Sequence, residues 1–305
     1  MSLALSLVAF GGGAWLLVES VEGLVKALTA WAVAAGLSGL ALSALVLGID
    51  LESTGAGVAA NLDGLPGTAL GTSVGAAVFL VTIGLGLAAV YAPFSVRVPR
   101  PLLVVAAVAT LLSVALLADG TLSRLDGGVL VAAFVPLVAT VALSVRRFGP
   151  RPASDAERPR RLWLRLLAGL AGLVVGAEIL VFGTRGIVDG LGLSETVFGL
   201  LVVAAAVSFE EVVLEMLPAH RGHPEISVGN ALGTLLFLLT GSLGVIALVR
   251  PIAVPGAVTS FHAPALVLAV VLLVFLLLRG RLGRPEGALL IAAYVAYVVG
   301  ALVVG

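Results

Sequence analysis

Cysteine is absent from this chain of 305 residues, which excludes disulfides, thiolate-bound zinc and thiol catalysis. Charge is scarce. Only 11% of residues are Asp, Glu, Lys or Arg, and 60% are hydrophobic, whereas a soluble domain carries about 25% charged residues. Such a chain cannot cover itself with polar surface in water, so the bilayer is its solvent. Neither sign of charge dominates: 17 basic residues stand against 17 acidic ones. Bulk charge therefore gives no nucleic-acid partner. The first apolar segment has no positive n-region and no small-residue cleavage site before a polar mature chain, so it reads as a span rather than a signal peptide. An intramembrane hydrolase is a poor fit, because no His lies at bilayer depth beside a Ser that it could activate. No cofactor is expected.

What is present is a series of long apolar runs. A span needs about 20 mostly apolar residues. Ten are predicted, over residues 3–26, 31–61, 68–92, 102–118, 127–145, 162–187, 195–219, 226–249, 263–278 and 286–304. The second is over-long, which fits a tilted or a broken helix. The one polar, Pro-rich stretch, residues 148–161, separates five spans from five. The predicted fold is an all-α polytopic membrane protein of ten transmembrane helices. Its units are residues 1–147, a cytoplasmic linker at 148–161, and residues 162–305. Of the basic residues, only Arg124, Arg185 and Arg250 fall in loops after even-numbered spans; the rest mark the other side as cytoplasmic. Both termini are then outside, and a prokaryotic cell membrane is the expected location.

The halves repeat. Shifting by 158 positions aligns residues 48–93 with 206–251 without a gap, and 12 of the 46 positions are identical. They include Glu52/Glu210, Pro66/Pro224, Phe79/Phe237 and the glycine pairs Gly71/Gly229 and Gly75/Gly233. Each copy has five spans, an odd number, so the copies enter the membrane in opposite directions: two inverted five-helix repeats. Such repeats place a shared site near the midplane. The i, i+4 glycine pairs lie on one helix face, where backbones can approach closely.

Carboxylates sit inside these matched segments: Asp50 and Glu52 with Ser53 in the first copy, Glu210 and Glu211 with Ser208 in the second. No Lys or Arg lies within the apolar core of either segment to neutralise them; Arg221 and Arg250 of the second copy fall in loops. Carboxylates at bilayer depth are expensive and usually mark an ion path. They need a cation or a proton to persist there, and hard cations take oxygen ligands. Glu215, four residues past Glu211, reads equally as a vestibule or an interfacial residue. Glu19, Glu22 and Glu178 read as snorkelling side chains near span ends, and His220 and His223 as a solvated loop. His262 begins a span and is given no role.

Residues 206–251 resemble the alpha-repeats of the calcium/cation antiporter superfamily, of the sodium/calcium exchanger type. The likeness is carried by Ser208-Phe209-Glu210-Glu211, then His223-Pro224-Glu225-Ile226-Ser227-Val228-Gly229-Asn230 and Gly233-Thr234. The first copy matches more loosely, through Gly48, Leu51, Pro66-Gly67, Leu70-Gly71 and Gly75. The resemblance implies that Glu211 is a cation-binding Glu and that Ser208 and Thr234 stand at hydroxyl or carbonyl ligand positions. Ser53 stands where the family has its other binding Glu. Glu52 and Glu210 stand at the family's helix-breaking Pro, and Asp50 replaces a Ser. Ile49, Val207, Ala76, Leu80 and Leu238 replace polar ligands.

The expected function is secondary antiport of Ca²⁺ or a similar cation against Na⁺ or H⁺. Asp50, Glu52, Ser53, Ser208, Glu210, Glu211 and Thr234 form the expected metal set, and inorganic cations and the lipid bilayer are the expected partners. Two alternatives stand beside it: a proton-coupled monovalent cation antiporter with Glu52 and Glu210 carrying protons, and a non-transporting scaffold or sensor that keeps the exchanger fold.

Overall fold

The computed structural model describes residues 3–35, 39–146, 159–191 and 204–304. These are almost entirely helical. The helices are α1 (Leu3–Ala35), α2 (Gly39–Val46), α3 (Leu51–Leu62), α4 (Pro66–Tyr91), α5 (Arg100–Leu117), α6 (Arg124–Arg146), α7 (Pro159–Leu191), α8 (Ala204–His220), α9 (Pro224–Val249), α10 (Val258–Leu278) and α11 (Arg284–Val304). Seven helices among the described residues are long and apolar enough to cross a membrane: residues 4–28 of α1, then α4, α5, 124–143 of α6, α9, α10 and 284–303 of α11.

The over-long second segment is broken. Helix α2 stops at Val46, Leu47 and Gly48 turn, and α3 starts at Leu51. Most of the predicted linker, and residues 192–203 at the start of the seventh predicted span, lie outside the described residues. Helix α7 begins at Pro159, inside the stretch assigned to the linker.

The two halves make matching local structure. Helix α3 ends in a turn at Gly64 (φ 77°) and α8 in a turn at Gly222 (φ 83°), left-handed conformations that favour glycine. Each turn carries the same pair of hydrogen bonds: Leu65 N–H to Ala60 O and Gly64 N–H to Asn61 O in one, His223 N–H to Pro218 O and Gly222 N–H to Ala219 O in the other. This is the helix-ending geometry in which glycine satisfies orphan carbonyls. Proline then opens both following helices, where its missing N–H is harmless. Helix α4 loosens to π geometry at Leu80–Gly84, and α9 does so at the matching Phe237–Ser242.

Contacts between the halves exchange under the same relation. Strand β1 (Phe94–Ser95) pairs with β4 (Arg281–Leu282), and β2 (Thr121–Leu122) pairs with β3 (Ile252–Ala253), both antiparallel. Gly86 of α4 meets Gly287 of α11, and Gly244 of α9 meets Gly127 of α6. A Cβ on Gly287 would stand 2.6 Å from Gly86 O, and one on Gly127 would stand 2.7 Å from Gly244 O. Small residues let these backbones touch.

Two apolar clusters divide the interior. The larger joins α4, α5, α9 and α10, through residues such as Leu80, Leu85, Leu235, Leu239 and Leu266. The smaller gathers Leu17, Val21, Leu24 and Leu28 of α1 with Leu166 and Leu173 of α7, and reaches Leu42, Val213, Leu214 and Ile226. Helices α1 and α7 run antiparallel along a glycine seam. A Cβ on Gly176 would lie 2.9 Å from Leu17 N, and one on Gly169 would lie 2.7 Å from a Leu24 side-chain carbon. Trp15, Val8, Trp163 and Phe182 face outward from this pair.

Candidate cation-binding site

The site grows from one close crossing. Helix α2 lies along α9 where α9 carries Gly229 and Gly233. A Cβ on Gly229 would meet the backbone of Leu40, one on Gly233 would stand 2.6 Å from Ala44 Cα, and one on Gly48 would stand 2.6 Å from the Gly233 carbonyl carbon. The expected close approach at this glycine pair is therefore present. Its counterpart, Gly71 and Gly75, has no described atom within 4 Å of an added Cβ. Most of the segment equivalent to α2 falls in residues 192–203, outside the described residues.

Because α2 ends at this crossing, the start of α3 is held beside α9 and the middle of α8. A cavity of about 400 Å³ opens there. Its polar lining comes from both halves: Asp50 and Ser53 from the first, Glu210, Glu211, Asn230 and Thr234 from the second. Leu170, Leu173 and Val174 of α7, with Val46, Leu47, Ile49 and Leu51 around the α2–α3 break, supply its apolar lining. Leu47, Leu173 and Leu214 on its lining belong to the smaller cluster.

The roles inside it differ. Asp50 caps α3: its Oδ1 accepts the Ser53 N–H at 2.8 Å, and its backbone carbonyl accepts the Thr54 hydroxyl at 2.9 Å. An Asp at the N-cap is a strong helix starter, so one of its two oxygens is committed to the fold. Ser53, Glu210 and Glu211 are half-buried on the lining. Thr234 is buried and faces the same space. The side chains of Glu52 and Ser208 lie outside the described residues. Of the seven residues expected in the metal set, five are brought to one cavity: Asp50, Ser53, Glu210, Glu211 and Thr234.

Asn230 was not in that set. It lines the cavity, is only 2% exposed, and its Oδ1 has no hydrogen-bond partner. A buried amide oxygen without a donor is an unmet acceptor, suited to a cation. Its sequence signal was the Gly229-Asn230 pair at the head of the second glycine segment.

Glu215 corrects an expectation. It is neither a vestibule nor an interfacial residue: it is fully buried, and neither carboxyl oxygen has a partner. It does not line the cavity. Glu22 lies toward the end of the apolar span at residues 4–28, inside α1, which continues to Ala35; it is ion-paired to Arg221 of the α8–α9 turn and to Lys26 at 3.5 Å on its own helix. His262 is also tied into structure, with Nδ1 2.8 Å from the Tyr297 hydroxyl.

A family model described as sodium/calcium exchanger protein matches residues 5–143 and 161–303. The chain is 28% identical over 309 residues to the inner membrane protein YrbG of Escherichia coli (strain K12), covering 93% of each. It is 31% identical over 138 residues to the sodium/calcium exchanger MaX1 of Methanosarcina acetivorans, covering 44% of this chain and 39% of that one. Its fold is similar to that of the sodium-calcium exchanger NCX_Mj, solved after soaking with 2.5 mM Na⁺ and 10 mM Sr²⁺. The TM-score is 0.86, over 98% of this chain and 99% of that one, at 23% identity.

Proposed function

This chain belongs to the sodium/calcium exchanger family, and on that premise we propose that it is a secondary antiporter exchanging Ca²⁺ or a similar cation for Na⁺ or H⁺. The observation that carries the reading is the shared cavity, where Asp50 and Ser53 meet Glu210, Glu211, Asn230 and Thr234. These side chains carry oxygens of the kind a hard cation takes, lining one cavity without converging as three acidic ligands in this conformation. Glu52 and Ser208 belong to the proposed set by their positions in the repeats.

Coupling follows from competition. Binding of the outgoing and the incoming ion is mutually exclusive, so each ion leaves before the other binds. Access alternates as the α1/α7 pair moves against the rest, with the cavity at the boundary. The glycine seam supports such movement, because α1 and α7 pack closely on each other. We assign ten spans in two inverted repeats, with residues 148–161 cytoplasmic and both termini outside. The matched turns, π segments and exchanged contacts support the repeat, and the Lys/Arg asymmetry supports the orientation.

Calorimetric titration of Ca²⁺ into the purified protein tests the site. Wild type is expected to bind, and Glu211→Gln to lose at least about tenfold in affinity, equal to about 1.4 kcal/mol. Unchanged binding in Glu211→Gln refutes the assignment.

A further inference from the structure

The four buried side-chain atoms that lack a hydrogen-bond partner among the described residues all belong to α8 and α9: both oxygens of Glu215, Ser227 Oγ and Asn230 Oδ1. Asn230 is accounted for by the cavity. Glu215 is not. It stands one helical turn beyond Glu211, sealed from solvent and outside the cavity lining.

Its carboxyl occupies a hollow made by Gly84. A Cβ placed on Gly84 would stand 2.7 Å from the Glu215 carboxyl carbon, so only glycine leaves room. Gly84 closes the π segment of α4, Leu80–Gly84, and π-bulges recur at functional sites. The other half has no such arrangement. The positions equivalent to Glu215 and Gly84 are Gly57 and Ser242. A Cβ on Gly57 would meet Cδ1 of Ile246 and stand 2.5 Å from the Thr72 hydroxyl, so an aliphatic side chain and a neutral hydroxyl fill that crossing. The fold can therefore build this junction without an acid, and the carboxyl in the second half needs another reason.

The groups around it are few. Among the described residues, the charged or titratable side chains on α8 and on the elements packed against it are Glu210, Glu211 and His220 on α8, Tyr91 on α4, and Glu225 on α9. On α1 they are Glu19, Glu22 and Lys26, and on α7 Arg165 and Glu178. None hydrogen-bonds to Glu215, and Glu22 and Lys26 are paired with each other within α1. An ionised carboxylate without a partner in a dry interior carries a heavy desolvation penalty, which a bound proton removes. A proton needs one oxygen, whereas a metal ion needs several converging ones.

We propose that Glu215, seated in the Gly84 hollow, is a closed proton site separate from the cation cavity, and that its proton is the ion exchanged against the cation. This rests on the antiport reading above and names its coupling ion. The proton binds one carboxylate oxygen of Glu215 when the cavity is empty and leaves to solution as the cation enters. Glu211, one turn away, is the route between the two sites.

The test uses the purified full-length chain in two assays. Infrared spectroscopy at neutral pH should find a protonated-carboxyl band in wild type that Glu215→Gln and Glu215→Met both lose. In reconstituted vesicles, a pH gradient should drive Ca²⁺ uptake in wild type. Both variants should reduce that uptake at least tenfold, and Ca²⁺ binding, which should release about one proton from wild type, should release none from them. A missing band in wild type overturns the proton site while leaving cation antiport standing. A band together with pH-driven uptake that the variants leave intact overturns the coupling role. A band with no cation exchange under any gradient overturns the antiport reading, and this coupling with it.

Discussion

Gly48 and Gly233 meet backbone to backbone: a Cβ on Gly48 would stand 2.8 Å from Gly233 Cα. That contact fixes where α2 stops, and so where Asp50 and Ser53 enter the cavity. Gly233→Val should push α2 away from α9. The backbone of Ala44 also lies against Gly233, so no flexible side chain can yield. Overpacking of this kind costs about 1–3 kcal/mol. A lower thermal midpoint in detergent, with weakened Ca²⁺ binding, is the expected pair of results.

Cavity residues should grade by role. Thr234→Ala and Asn230→Ala each remove one neutral oxygen and should weaken Ca²⁺ binding less than Glu211→Gln, which removes a charge. Asp50→Asn should lower stability as well as affinity, because Asp50 also caps α3 through Ser53 N–H. A lost cap costs about 1 kcal/mol. Calorimetry and thermal melting on the same samples separate the two effects.

Much of this was readable before any coordinates. The second segment reads as tilted or broken, and the structure shows the break; the Gly229/Gly233 approach and the cavity residues Asp50, Ser53, Glu210 and Glu211 follow from residue type and spacing, whereas Thr234 comes from the resemblance to the exchanger repeats. The local roles were less so. Asp50 reads as a ligand until the start of α3 shows it as a cap. Asn230 belongs to a legible motif, yet only packing shows that its Oδ1 lacks a donor. The burial of Glu215 depends on Gly84, a residue of the other half. No periodicity within α8 reports a hollow supplied by another helix. The α1/α7 seam is of the same kind: Gly169 and Gly176 matter through Leu24 and Leu17.

Steric complementarity between Gly84 and Glu215 should be measurable as coupling. Gly84→Ala places a methyl group against the carboxyl and should destabilise. Glu215→Ala vacates the hollow, so the double variant should recover much of the loss. Contacting residues couple by about 0.5–3 kcal/mol. Additive losses in a thermal-stability cycle would show that the two do not touch.

The matched turns predict matched penalties. Gly64→Ala and Gly222→Ala each force an L side chain into a left-handed conformation (φ 77° and 83°), at about 1–2 kcal/mol apiece. Neither residue lines the cavity. Thermal midpoints should therefore fall by similar amounts while Ca²⁺ affinity holds.

Radiolabelled Ca²⁺ flux across vesicles holding the purified chain tests the central claim most directly, with Na⁺ and pH gradients imposed in turn. The account predicts uptake against an outward gradient of the coupling ion, collapse of uptake when that gradient is dissipated, and near-complete loss in Glu211→Gln. Calcium movement that ignores both gradients, or a Glu211→Gln protein that transports as wild type does, would contradict it.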